Sequence, residues 1–246
     1  MSEFIHVYYR RKFKYMRYLW RVLLMCALLN FALPVQADPV SMPTTWAAYL
    51  EQADAMQARQ LLLVFTDAAE QNRAELFCLE NTGTSWNIAL PAMPASVGRK
   101  GIAAPGAKRE GDGCSPYGLY PIGMAFGYQA SCTTRMPYRQ MSADDIWVDD
   151  PAAPDYNHLV KKAATTAKSF EYMRRQDNLY KYGLVVEYNT NPVVAGHGSA
   201  IFIHIWSRSY GPTAGCLAMS EENLLKVLAF LDPAKSPKIG FFRKDL

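Results

Sequence analysis

The segment SAIFIHIWSRSYGPTAGC, residues Ser199–Cys216, decides how this chain folds around its most reactive side chain. Its first part is apolar and rich in isoleucine, which predicts a buried strand over Ser199–Trp206. Glycine and proline then predict a turn that ends at Cys216. A cysteine on a glycine-supported turn, preceded by a histidine near a strand end, is typical of acyl transfer through a thiol. In papain-like enzymes the cysteine comes first, so a different strand order is expected here.

The histidine of this strand is placed to activate the cysteine. Side chains alternate between the two faces of a strand, so His204 shares a face with Phe202 and Trp206. A cysteine attacks as its thiolate and needs either a base or a lowered pKa. We therefore predict Cys216 as the nucleophile and His204 as the base that takes its proton. The sequence places no acidic residue nearby to orient the imidazole, so we expect a backbone carbonyl from residues 207–211 to hold it.

Three other interpretations stay open at the level of sequence. His204, on an apolar strand, could be a core residue without a chemical role. His197, followed by Gly198, opens the same strand and competes with His204 as the base. His197, His204 and Cys216 could together hold a metal, but the sequence lacks the closely paired ligands of zinc sites. The pattern favours thiol chemistry with no metal and no cofactor.

The glycine before the cysteine predicts an oxyanion hole. Gly215 lets the backbone turn tightly, so that the amide groups of Gly215 and Cys216 can face a developing negative charge. Removing one such donor from an enzyme has lowered the rate by roughly 10²- to 10³-fold.

Residues 1–37 have the composition of an export signal. A stretch with six basic residues precedes the apolar core Val22–Leu33, Pro34 ends that core, and Val35–Ala37 supplies small residues for cleavage. The apolar core is shorter than the roughly 20 residues of a membrane span. We predict a signal peptide over 1–37, an N-terminal helical segment over 38–57 and a catalytic domain over 58–246. Membrane contact is expected only through an uncleaved leader.

Net charge excludes one class of partner. The leader holds six of the 26 basic residues and one of the 22 acidic residues. The remaining chain therefore has 20 basic and 21 acidic residues, a net charge of about −1. Without a basic surplus there is no electrostatic case for nucleic-acid binding.

The rest of the chain predicts a mainly β (α+β) fold with a few peripheral helices. Strands are expected over Leu61–Asp67, over AELFCLEN and SWNIALPAM as a hairpin around Asn81–Gly83, and over Leu184–Tyr188 and Ser199–Trp206. Helices are expected over Thr44–Gln60, over Ala163–Gln176 and after an N-cap at Ser220. Tight turns and short strands are expected over Gly98–Gly127, and a polar loop that could line a site over Asp144–Asn157.

Four cysteines lie beyond the predicted leader. Cys114 and Cys132 could form a disulfide in an oxidising compartment, which would leave Cys78 buried and inert. The alternative is that Cys78, Cys114 and Cys132 are all small core residues. Sequence does not decide between these pairings.

The motifs resemble those of the L,D-transpeptidase (YkuD-like) family. In that family a histidine-bearing strand is followed by Ser/Thr-x-Gly-Cys, matched here by SAIFIHIW, PTAGC and the following LAMSEENL. Further blocks of one branch are matched by ASVGRKGI, by KREGDG with SPYGLYPIG, and by DDIWVDDP. The resemblance covers roughly residues 58–240.

The resemblance implies a β-sandwich-like catalytic domain with a mixed sheet, acting on peptidoglycan stem peptides in the periplasm. Carried over by residue, Cys216 is the nucleophile, His204 the base, Thr213 the hydroxyl of the motif and Gly215 the oxyanion-loop glycine. The thiolate would attack an L,D peptide bond, release D-alanine and pass the acyl group to the amine of another stem. Carbapenem-type β-lactams would be inhibitors. The alternatives are an L,D-carboxypeptidase or amidase, in which water takes the acyl group, and an inactive wall-binding module.

Two departures from the family pattern affect substrate binding. Ala214 stands where a histidine is common, and Ala218 where many members have an arginine. Arg208 is a candidate for binding the substrate carboxylate instead, with Trp206 and Tyr210 as an apolar wall. Such a branch could link a first-position rather than a third-position residue.

Overall fold

The computed structural model describes residues 43–67 and 70–244. The described residues form twelve strands: β1 (Gln60–Thr66), β2 (Arg73–Asn81), β3 (Trp86–Ser96), β4 (Gly118–Gly127), β5 (Tyr138–Gln140), β6 (Asp145–Val148), β7 (Leu159–Lys161), β8 (Phe170–Tyr172), β9 (Tyr182–Val186), β10 (Phe202–Ile205), β11 (Leu217–Met219) and β12 (Lys238–Arg243). They also form the helices α1 (Ala47–Ala55) and α2 (Glu221–Phe230), and 3₁₀ turns over Thr44–Trp46, Lys162–Ala164 and Pro233–Lys235. The mainly β class is confirmed.

The main sheet closes on itself. Its order is β12-β1-β2-β3-β11-β10-β9-β4-β5, and β12 pairs with β4 as well as with β1. The pairs β1–β12, β10–β11 and β4–β5 are parallel, and the others are antiparallel. A closed mixed sheet leaves few unpaired edges and holds neighbouring strands in one register. This register positions the site, because β10 and β11 are adjacent.

Strand β1 is buried on both faces. Leu62 and Val64 belong to a core that also receives the apolar side of α2. Leu61 and Leu63 belong to a second core beneath α1, where Trp46 is also buried. Each fully buried leucine stabilises the fold by about 2 kcal/mol. The continuous apolar run therefore forms the predicted buried strand, and the predicted N-terminal helix is confirmed over a shorter range.

The predicted hairpin is confirmed as β2 and β3, which pair antiparallel with Asn81 opposite Trp86. The predicted C-terminal helix is confirmed as α2. Ser220 Oγ accepts a hydrogen bond from the Asn223 N–H at 3.2 Å, which satisfies a free amide of the first turn. An N-cap of this kind stabilises a helix by about 1 kcal/mol. Among the described residues, neither helix is long and apolar enough to cross a membrane.

The predicted helix over Ala163–Gln176 is wrong. The segment contains the end of one 3₁₀ turn and strand β8, which pairs with β6 in a small sheet of order β7-β6-β8. Phe170 and Glu171 of this strand are partly buried where it pairs with β6. The helical spacing of the segment is overridden by tertiary pairing, because propensity is a weak determinant over so short a length. Part of the predicted loop Asp144–Asn157 is likewise strand, as β6.

The strand around the histidine is shorter than predicted. Regular pairing begins only at Phe202, because Ala200 has a φ of +53°, in the left-handed region. A non-glycine residue rarely adopts this conformation, and such positions cluster at functional sites. The preceding strand, β9, is also displaced from its predicted range, Leu184–Tyr188, by two residues towards the N-terminus.

The cysteines are all free among the described residues. Cys78 is buried in the core, as predicted, and burial raises the pKa of its thiol to about 12. Cys114 and Cys132 are partly exposed and do not form a disulfide. The predicted signal peptide, residues 1–37, lies outside the described residues.

Candidate active site

Two adjacent parallel strands bring the predicted nucleophile and base to one place. His204 lies on β10 opposite Ala218 of β11, and Cys216 immediately precedes β11. Alternation puts Cys216 and Ala218 on one face of β11, the same face that His204 occupies on β10. Both side chains line a common cleft. The parallel pairing of β10 with β11 thus brings together His204 and Cys216, which are separated in the sequence.

The loop before Cys216 is stabilised by its own hydroxyl. Thr213 Oγ1 donates to the Cys216 carbonyl at 2.7 Å and accepts from the Gly215 N–H at 3.1 Å. Thr213 therefore closes the turn that presents the thiol. To bind an oxyanion, the Gly215 N–H would have to break its hydrogen bond to the Thr213 hydroxyl. The second donor predicted for the oxyanion hole is the Cys216 N–H.

The same loop is also held by hydrogen bonds from Ser115, which lies in a neighbouring segment. Ser115 Oγ donates to the Gly215 carbonyl at 2.6 Å and accepts from the Gly98 N–H at 3.1 Å. A Cβ atom at Gly215 would lie 2.9 Å from the Cys114 carbonyl oxygen, closer than real Cβ atoms approach backbone. Glycine is therefore required at this position by close packing rather than by a positive φ.

The thiol of Cys216 is buried, with 6% of the residue exposed. It donates to the Ala200 carbonyl at 3.3 Å and accepts from the Phe202 N–H at 3.4 Å. Burial raises the pKa of the Cys216 thiol to about 12, and the nearby Glu171 carboxyl adds to the shift. The resting thiol is therefore protonated at neutral pH.

Ala200, whose carbonyl accepts from the thiol, is held through its own N–H by the buried side chain of Asn157. Asn157 Oδ1 accepts from the Ala200 N–H at 3.0 Å and from Trp147 Nε1 at 2.9 Å. Its amide nitrogen donates to the Tyr188 carbonyl at 3.0 Å. These bonds keep Ala200 in its left-handed conformation. The polar segment Asp144–Asn157 thus supports the site, although sequence reasoning did not select Asn157.

The imidazole of His204 is oriented by a backbone carbonyl, as predicted, but from a different residue. Nδ1 lies 2.8 Å from the carbonyl oxygen of Ile205, outside the predicted 207–211 segment. A carbonyl oxygen only accepts, so Nδ1 carries the proton and Nε2 has the free lone pair. Burial lowers the pKa of His204 to about 4. The imidazole is therefore neutral at pH 7 and able to accept a proton.

The resting site therefore contains a neutral thiol and a neutral imidazole, not an ion pair. In a buried site a thiolate and an imidazolium would both lose solvation. A proton would then leave the sulfur as it attacks, with His204 as general base. Tyr180 packs edge-on against the imidazole, 5.2 Å between ring centroids, and restricts its rotation.

Cys216 is reached from two clefts. The first, called the imidazole cleft, has a volume of about 230 Å³ and is lined by Arg175, Tyr180, His204, Trp206, Cys216 and Ala218 among others. The second, called the carboxylate cleft, has a volume of about 190 Å³ and is lined by Lys108, Glu110, Asp149, Glu171, Ala200 and Cys216 among others. Glu171, Ala214 and Cys216 line both, so Cys216 lies where the clefts meet.

The carboxylate cleft has one polar atom without a partner. Asp149 Oδ1 is buried and has no hydrogen bond among the described residues. Burial raises the pKa of Asp149, and the neighbouring Glu110 adds to the shift. Glu110 itself accepts from Tyr156 Oη at 2.5 Å and from Ser199 Oγ at 2.7 Å. Asp149 and Glu110 thus place two carboxyl groups in this cleft, where Lys108 is paired with Asp112 at 2.8 Å.

The residues predicted to bind substrate separate into two groups. Trp206 lines the imidazole cleft, as the prediction requires. Tyr210 packs against Trp206, 5.6 Å between ring centroids, and lies behind it under the Arg73 guanidinium. Arg208 is exposed and lines neither cleft. A role for Arg208 in substrate binding remains a prediction without geometric support.

The alternative base is outside the clefts. His197 is exposed, and its backbone carbonyl accepts from Tyr188 Oη at 2.6 Å. It lines neither cleft, whereas His204 lines the first. The described residues contain no group of three His, Cys, Asp or Glu side chains that could hold a metal.

Sequence reasoning did not select several cleft residues, among them Asp149, Glu171, Arg175 and Tyr180. Asp149 lies in the polar segment that had been marked as a candidate site loop. Glu171 and Arg175 lie in the segment that was wrongly predicted as a helix, and Tyr180 lies between that segment and β9. No spacing in the sequence connects them to Cys216, because they reach it through the pairing of β6 with β8.

Comparison with known protein families covers the segment that contains both strands and both clefts of the site. The YkuD model, which describes the L,D-transpeptidase catalytic domain, matches residues 63–239. This range contains Cys216, His204 and both clefts. A search of curated proteins and a search of solved structures each found no significant match. The chain belongs to the YkuD family of L,D-transpeptidase catalytic domains.

Proposed function

We propose that this protein is an exported L,D-transpeptidase that cross-links peptidoglycan stem peptides through a thioester on Cys216. The observation that carries the proposal is that Cys216 and His204 line one cleft from adjacent parallel strands. The family supplies the substrate class. The composition of residues 1–37 supports export, and with it the periplasm as the site of action.

The first half-reaction forms the thioester. His204 Nε2 takes the thiol proton as Cys216 Sγ bonds to the carbonyl carbon of the donor stem. The carbonyl oxygen becomes an oxyanion, for which the Cys216 N–H is a donor. His204 then returns the proton to the departing amine, the C–N bond breaks, and D-alanine leaves.

The second half-reaction regenerates the enzyme. The amine of an acceptor stem attacks the thioester carbonyl and gives its proton to His204. The C–S bond breaks and the sulfur regains the proton from the imidazole. In this proposal every proton passes through His204, which lines the same cleft as Cys216.

The carboxylate cleft favours transfer over hydrolysis. A transferase needs a second route to the sulfur for an amine, and this cleft provides one. Its carboxyl groups attract an ammonium group, and Asp149 Oδ1 has an unused acceptor position. A hydrolase would need only a water molecule there.

Digestion of purified sacculi tests the function. Wild-type protein is expected to generate new stem-peptide dimers, measured by mass spectrometry of released muropeptides. Shortened monomers without new dimers would indicate an L,D-carboxypeptidase or amidase. Binding to sacculi without any change of the muropeptides would indicate an inactive wall-binding module.

The acceptor side of the proposal rests on Asp149. Asp149→Asn should lower the ratio of transfer to hydrolysis by about tenfold, because a hydrogen bond to a charged group is replaced by a weaker one. Thioester formation from the donor, followed by intact-mass spectrometry, should be little changed.

Asp144→Asn is the matched control, since Asp144 is exposed at the start of the same segment. It should leave the ratio of transfer to hydrolysis at the wild-type value. An unchanged ratio in Asp149→Asn would remove this carboxyl from acceptor binding.

A further inference from the structure

The imidazole cleft contains an arginine that sequence reasoning did not select. Arg175 lies just after β8 and lines the cleft together with His204 and Cys216. Among the described residues that line this cleft, it is the one side chain with a permanent positive charge. Burial is the main cause of the pKa shifts of His204 and Cys216, and the positive charge of Arg175 lowers the pKa of both groups.

The guanidinium of Arg175 is held in one orientation. Nε donates to Asp177 Oδ1 at 2.9 Å, and Nη2 donates to Asp177 Oδ2 at 2.6 Å. Its central carbon lies 5.1 Å from the ring centroid of Tyr180, the residue that also packs against His204. A guanidinium held by a carboxylate and an aromatic ring is preorganised and loses little entropy on binding a ligand.

One edge of the guanidinium remains for a ligand. Nη1 of Arg175 donates to no acceptor among the described residues, although Nε and Nη2 are both bound to Asp177. The planar guanidinium is suited to carboxylates, which it binds through strong charge-assisted hydrogen bonds. The neighbouring surface depression, lined by Arg175, Glu171 and Tyr172, continues the cleft outward and has room for a peptide.

We propose that Arg175 binds the carboxylate of the stem-peptide residue on the leaving side of the scissile bond. The inference rests on the proposed function, and it adds the residue that would set the register of the donor. A carboxylate held there would place the preceding carbonyl carbon near Cys216 Sγ. The donor would thus be selected by its free terminal acid.

Two donor peptides test this assignment. One is a synthetic tetrapeptide stem that ends in a free carboxylate, and the other is the same peptide ending in a carboxamide. The kcat/KM for release of the terminal residue should favour the acid by about 10- to 100-fold in wild-type protein, since a hydrogen bond between charged groups is lost in the amide. A wild-type ratio near one would overturn the inference.

Variants then assign the preference to one side chain. Arg175→Gln should bring the acid-to-amide ratio close to one, mainly by slowing the acid. Arg175→Lys keeps the charge without the planar fork and should retain part of the preference. Arg135→Gln is the matched control, since Arg135 also pairs with an aspartate, Asp232, but lies outside the cleft.

The outcomes separate this inference from the function itself. Equal losses for acid and amide in Arg175→Gln would mean that Arg175 only supports Tyr180 and His204, which overturns the inference. A ratio lost in Arg208→Gln instead would assign carboxylate binding to the sequence-based candidate. If wild-type protein releases nothing from either peptide and leaves sacculi unchanged, the proposed function fails. Turnover of both peptides at equal rates removes only the role of Arg175.

Discussion

Replacing Cys216 with alanine is expected to lower transpeptidation by at least about 10⁴-fold, because the acyl group would lose the atom to which it is transferred. Of the residues that line both clefts, Glu171, Ala214 and Cys216, the cysteine alone has a thiol. The measurement is the rate of dimer formation on sacculi. Intact-mass spectrometry should show a thioester with the donor peptide in wild-type protein and none in Cys216→Ala.

A carbapenem-type β-lactam provides an independent readout of the same thiol. It should add covalently to Cys216 in wild-type protein and in Cys132→Ala, the control for a partly exposed cysteine. Peptide mapping that locates the adduct on Cys132, or residual dimer formation in Cys216→Ala, would show that another group is the nucleophile.

Replacing His204 with glutamine should lower kcat/KM by about 10²- to 10⁴-fold, the usual contribution of a general base. Glutamine can still donate to the Ile205 carbonyl, so the change removes the base more than the local structure. His197→Gln is the matched control and should retain wild-type rates, because His197 lies outside both clefts. Inactivity of His197→Gln with normal rates for His204→Gln would reverse the assignment.

The pH profile distinguishes a neutral pair from an ion pair. With the pKa of His204 lowered to about 4, the imidazole stays deprotonated and able to accept a proton at every pH well above 4. Activity should therefore be lost only as pH falls towards 4, and not near 6.5, the ordinary value for histidine. With the pKa of Cys216 raised to about 12, no alkaline limb from the thiol is expected below pH 9. A rate profile with limbs near 6 and 8 would indicate a preformed thiolate–imidazolium pair.

Local sequence was sufficient to predict an element of secondary structure where one hydrophobic pattern continued along the whole element. The apolar run Leu61–Phe65 is too short for a typical helix, and it forms a strand buried on both sides, as predicted. The serine before Glu221 and the apolar spacing after it marked a capped helix. Sequence failed at Ala163–Gln176, where helical spacing over few residues competed with β pairing to a strand some twenty positions earlier. A contact of that kind has no local signal.

The sequence by itself was enough to indicate the family of this protein. A glycine-supported cysteine after a histidine-bearing strand also predicted a thiol and its base, because alternation and turn chemistry act over a few residues. Tertiary structure alone decided what surrounds them. Asn157, Asp149 and Arg175 reach Cys216 only because a closed main sheet and a second small sheet bring distant loops together. The protonation states were also decided there, since burial, which no short sequence pattern encodes, keeps both the thiol and the imidazole neutral.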